Sequence, residues 1–160
     1  MKTDIKKLCA LLYGIFALSA LMQFSYLTML VGAVALIAAT GAAYAKRKEV
    51  AGTPFESHLT WLIRTFWIGT GVYLPVLTLT EAAIIYLAVD KDALMKRMTS
   101  GEITDPQQLA DIFTVQYGTL MVWLTLGFTI PFLAWWLWRC WAGYKLLKDG
   151  KPVPKVMSWL

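Results

Sequence analysis

An all-α integral membrane protein, a four-helix bundle with short interfacial helices, is the fold class that this 160-residue sequence predicts. Three observations lead there. The composition is 58% hydrophobic and only 16% charged, too apolar for the surface of an ordinary water-soluble domain. Residues 8–45 form a run of 38 without one charged side chain. The basic residues gather at the ends of the apolar stretches, on what becomes one side of the chain's path. The length suits a single domain over residues 1–160.

A helix over the uncharged run would reach roughly 57 Å, near twice a bilayer's ~30 Å hydrocarbon core. The run therefore divides into two spans, about 5–22 and 27–45, with "QFSY" (residues 23–26) as the polar turn. Lys2, Lys6 and Lys7 also suit the basic start of a cleaved signal peptide, with small Ala17 and Ser19 for the cut. The apolar run continues straight past that point, which favours an uncleaved first span. In the second span Ala35, Ala39 and Ala43 recur four apart, with Gly32, Ala38, Gly41 and Ala42 nearby. Small residues at that spacing let helix backbones approach closely, the main packing device in lipid.

"TPFESHLTWLIRTFW" (residues 53–67) opens the next helix. Thr53 and Glu56 have the spacing of a capping box, in which each side chain accepts from the other residue's amide. Pro54 stands at the first helical position, where its missing N–H is harmless. No strong stop follows before Asp90, and a helix that long would reach about 54 Å. Gly69, Gly71 and Pro75 are its weak points. The reading is a surface helix over 54–64 turning into a span over about 66–89.

Residues 90–117 form an outer segment. "DKDALMKRM" reads as a short helix and "TSGEIT" as a turn. "DPQQLADIF" starts another helix, with Asp105 as cap and Pro106 at the first position. Leu109, Ile112 and Phe113 give it one apolar face, placing it on the outer membrane surface or as a cap on the bundle. The last span covers about 118–141, with Pro131 near its middle. A basic tail over 143–160 follows, turn-forming at Gly150, Pro152 and Pro154.

Charge sets the orientation. Ten basic residues (Lys2, Lys6, Lys7, Lys46, Arg47, Lys48, Lys145, Lys148, Lys151 and Lys155) fall on one side, with Arg64 and Arg139 at its border. The outer segment has Lys91, Lys96 and Arg97 against five acids. Both termini are thus expected in the cytoplasm. Six of the eight tryptophans (61, 67, 135, 136, 138 and 141) then lie near the cytoplasmic interface, where tryptophan concentrates. The net charge of +5 follows from this distribution and does not call for nucleic acid. Cys9 and Cys140 fall at cytoplasmic helix ends, where a disulfide is not expected.

No zinc spacing, Walker loop, dinucleotide fingerprint, nucleophile elbow or haem motif is present, so no catalytic residue, cofactor or metal is expected. The candidate residues are of another kind. His58, Trp61, Arg64 and Trp67 follow at three-residue steps, and neighbours three apart touch along a helix. Trp61 is expected to stack on His58 and Arg64, the latter as a cation–π pair. The stripe reads as interfacial anchoring, or else as recognition of an anionic headgroup or a partner's carboxylate. Glu81, in "LTLTEAAIIYLA", is an acid about 12 Å of helix from Asp90, well inside a span. Such residues are functional by default. Three readings stand: a protonated acid bonded to Thr78, Thr125 or Thr129, a contact with a partner subunit, or a proton or ion relay.

"AYAKRKEVAGTPFESHLTWLIRTFW" and "WLWRCWAGYKLLKDGKPVP" carry a resemblance. Over about residues 30–70 and 120–154 the chain resembles an uncharacterised family of small bacterial inner-membrane proteins. That family is distantly related to the inner-envelope component of the chloroplast protein-import machinery. Its most specific parts here are "ESHLTWLIRTFW" and "DGKP"; the acidic outer segment and Glu81 depart from it. The resemblance implies a four-helix protein of the bacterial inner membrane, near protein translocation or membrane assembly, with no catalytic residues. The function expected is a non-enzymatic accessory subunit or assembly factor of a membrane complex. The alternative is an oligomeric transport or translocation element, and an enzyme acting on lipid stands third. The partners expected are the lipid bilayer and another membrane protein, or the chain itself as an oligomer.

Overall fold

The computed structural model describes residues 2–22, 25–103 and 105–154, so part of the 23–26 turn and the tail beyond 154 lie outside the described residues. Every regular element among them is helical, with no strand. In order these are α1 (Lys2–Leu21), α2 (Tyr26–Arg47), a 3₁₀ turn (Lys48–Val50), α3 (Pro54–Trp67), a π-helical turn (Ile68–Tyr73), α4 (Leu74–Ala88), α5 (Lys91–Thr99) and α6 (Pro106–Lys148). Three helical stretches are long and apolar enough to cross a membrane: Tyr26–Val50, Pro54–Ala88 and Pro106–Lys148. The first expected span is not among them. Asp4, Lys6 and Lys7 occupy the start of α1 and leave 14 uncharged residues, 8–21, about 21 Å of helix.

The chain divides into two compact units. The first comprises residues 1–73 and 132–160. Here α2 packs on both α1 and α3, and α1 also touches α3. Ala39 and Ala43 are buried on α2, as their four-residue spacing predicts. Into this core point Leu12 and Phe16 of α1, Leu59 and Leu62 of α3, and Phe132, Trp136 and Leu147 of α6. Trp136 stacks on Phe16 at 5.9 Å between centroids, and its Nε1 donates to the Phe16 carbonyl at 2.9 Å. Two glycines make room for aromatic neighbours. A Cβ at Gly69 would lie 2.2 Å from Trp136 Cζ3, and one at Gly143 would lie 2.3 Å from the Tyr13 hydroxyl.

α6 ends in a Schellman turn: Gly150 has φ +68°, its N–H donates to Leu147 O at 3.1 Å, and Lys151 N–H reaches Leu146 O at 2.9 Å. The following residues run back along α3. Val153 is buried, and its N–H donates to Ser57 Oγ at 2.9 Å.

The second unit comprises residues 74–131. Within it Asp90 caps α5 by accepting from Ala93 N–H at 3.0 Å, and its own N–H donates to the Tyr117 hydroxyl at 3.3 Å. α4 buries no residue.

Three local expectations are corrected. Thr53 makes no side-chain cap; its hydroxyl donates to Val50 O at 2.7 Å. Glu56 reaches one residue further back, accepting from Gly52 N–H at 2.8 Å. Half of the capping box therefore forms, shifted by the tight 3₁₀ turn that precedes it. The break expected near Gly69, Gly71 and Pro75 is a π-helical turn, so the chain stays helical from 54 to 88. A π-helical turn widens the backbone locally without ending the helix. Finally, the outer helix beginning at Pro106 and the last span are one helix of 43 residues. No breaker stands between Phe113 and Gly118, and Asp105 caps the start by accepting from Gln107 N–H as expected.

Candidate functional site

α3 presents its residues to different surroundings, because a three-residue step drifts around a 3.6-residue helix. His58 is 1% exposed and Trp61 5%, whereas Trp67 is 55% exposed and Arg64 lies between. The stripe seen in the sequence thus winds from the interior of the first unit to its outside. The four residues do not meet at one point.

His58 is held at both ring nitrogens. Nε2 lies 2.9 Å from the Lys151 carbonyl oxygen, and Nδ1 lies 3.0 Å from the Tyr13 hydroxyl. A carbonyl only accepts, so Nε2 carries a proton; the neutral ring then accepts the Tyr13 O–H at Nδ1. Tyr13 also meets the ring edge-on. This histidine ties α1, α3 and the segment after α6 together, and both of its nitrogens are engaged.

A cation from another helix lies over Trp61. The Arg139 guanidinium, on α6, sits 3.6 Å from the Trp61 ring centroid, with Trp135 at 5.3 Å. Arg139 Nε donates to Thr65 Oγ1 at 3.0 Å, and that hydroxyl donates to Trp61 O at 2.8 Å. Trp61 Nε1 in turn donates to Arg139 O at 3.1 Å. The two residues therefore grip each other by ring face and backbone carbonyl. Arg139 is 0% exposed, and a desolvated cation–π pair is worth about 2 kcal/mol or more. A buried guanidinium needs such neighbours, since an unpaired buried charge is heavily penalised. This lock is the part of the site that sequence reading missed. Its signal was an arginine inside "WWLWRCW", and a threonine one helical turn after Trp61.

Trp67 stands on the exposed side of α3. Its Nε1 donates to the Tyr44 hydroxyl at 2.8 Å, and Phe66 meets its ring edge-on at 5.3 Å. On α4 Glu81 is half-exposed among apolar side chains. Among the described residues the hydrogen bond expected from a protonated Glu81 to Thr78, Thr125 or Thr129 is not made, and Glu81 has no other hydrogen-bond or ion-pair partner. Thr80 bonds its own helix at Val76 O. No group of three or more His, Cys, Asp or Glu that could hold a metal occurs among the described residues. Comparison with protein-family models, curated proteins and solved structures gives no significant match to this chain.

Proposed function

We propose that the chain is a non-enzymatic, multi-pass protein of the bacterial inner membrane that acts as an accessory subunit or assembly factor of a membrane complex. In this reading α1 joins the three long apolar helices as a fourth crossing, and both termini are cytoplasmic. The observation that carries the reading is Glu81. It stands half-exposed in an apolar helix without a partner among the described residues, and stretches 66–89 and 118–138 contain no lysine or arginine. An acid in hydrocarbon costs a few kcal/mol unless something satisfies it. The missing donor belongs on another membrane protein.

The test is affinity purification from native membranes in mild detergent. Wild-type protein is expected to retain one dominant foreign membrane protein in stoichiometric amount. Glu81→Leu should insert at normal levels and lose it, whereas Glu81→Gln, which still donates and accepts, should keep part of it. Recovery of the same partner with Glu81→Leu would sink the reading. A discrete homo-oligomer without a foreign partner would favour the transport alternative.

A further inference from the structure

Between α1 and the end of α6, within the first unit, lies an open-sided groove of about 510 Å³. That volume is in the ~300–1,000 Å³ range of sites that hold small molecules. One wall is α1, where small Ala10, Gly14 and Ala17 stand beside Tyr13. The other is Leu137, Trp141 and Tyr144 of α6, of which Trp141 and Tyr144 are exposed aromatics. Nothing lies within 4 Å of where a Gly14 Cβ would be, so the trough is open at that point.

Its end is basic. Lys6 stands four residues before Ala10 and Lys7 seven before Gly14; on α6 Lys145 stands four after Trp141 and Lys148 four after Tyr144. All four side chains are exposed. They belong to one place, because Lys6 Nζ donates to the Lys148 carbonyl at 3.1 Å and so draws the charged ends of the two helices together. An apolar trough, an aromatic rim and a cluster of lysines thus follow in order along one groove. Basic pockets between helices at the cytoplasmic face hold anionic headgroups, and aromatic residues sit at headgroup level.

We propose that this groove is a binding site for an anionic phospholipid, with an acyl chain against Ala10, Gly14 and Ala17 and the phosphate among Lys6, Lys7, Lys145 and Lys148. The site rests on the reading of the chain as a membrane protein. A second copy of the chain fits it poorly: in the same membrane orientation its own lysine cluster would face this one. The chemistry is association only, without a covalent step.

The test uses the full chain in nanodiscs of phosphatidylcholine alone or mixed with phosphatidylglycerol, with bound lipid counted by native mass spectrometry. Wild type is expected to retain phosphatidylglycerol at least tenfold over phosphatidylcholine, and excess inorganic phosphate should not displace it. Gly14→Leu, which fills the trough, should lose the retained lipid with helical content unchanged. The Lys7→Gln/Lys145→Gln variant should keep lipid but lose the headgroup preference. Equal retention by Gly14→Leu, or no preference in wild type, overturns the proposal. So does a Gly14→Leu variant that only converts a dimer to monomers. Fractionation of the same cells separates this from the premise: protein in the soluble fraction refutes the membrane reading itself.

Discussion

Glu81 and Arg139 are both ionisable residues set in apolar helices, and their surroundings differ in kind. Arg139 is buried against Trp61, Trp135 and Thr65, which hold it by ring face and by Nε. Glu81 has no such enclosure among the described residues, which is why a function is read from it and not from the arginine. Tyr13 and His58 form the other buried polar pair. Tyr13→Phe keeps the ring and removes the donor, leaving His58 Nδ1 buried without a partner. Such a loss costs about 1–3 kcal/mol. The unfolding midpoint in detergent should fall by on the order of 5 °C for a chain of this size. An unchanged midpoint would mean that the hydroxyl contributes nothing to holding α1 on α3.

Helix α2 approaches its neighbours through alanines, whereas α6 approaches through tryptophans that need gaps opposite them. Gly69, inside the π-helical turn, is the gap for Trp136. Gly69→Ala would press a methyl into a rigid indole that is itself fixed by its bond to Phe16 O. Overpacking of this kind destabilises by roughly 1–3 kcal/mol. Gly41 is the control, for a Cβ there meets nothing within 4 Å. Gly41→Ala should gain about 0.5–1 kcal/mol from helix propensity. Thermal unfolding of the two variants side by side checks both signs, and a Gly69→Ala protein as stable as wild type would show that Trp136 is free to move.

For the molecule as a whole the asymmetry of charge is the basis of the expected placement. Cys9 and Cys140 are buried, so single cysteines added elsewhere can be read over a low background. Ser100 and Lys48 are exposed sites on the two expected sides. An impermeant thiol reagent applied to intact spheroplasts should label Ser100→Cys and spare Lys48→Cys until the membrane is opened. The reverse pattern would invert the topology, and equal labelling of both would remove the membrane reading of the intervening helices.

Helical class, three of the apolar stretches, the cap at Asp105, the small-residue face of α2 and the weak point at residues 69–75 were legible in the sequence. Each depends on properties carried within a few turns of one helix: hydropathy, side-chain size, and the donors missing at proline and helix ends. Which residues meet across helices was not legible. Trp61 carries on its ring the guanidinium of Arg139, 78 positions away. His58 finds its partners in Tyr13 and the Lys151 carbonyl, 45 and 93 positions away. Such pairings are set by how α1, α3 and the end of α6 pack, and local spacing holds no record of that packing. The same holds for the groove between α1 and α6: its alanines, its tryptophan and its lysines are all plain in the sequence, but only the tertiary structure brings them to one face.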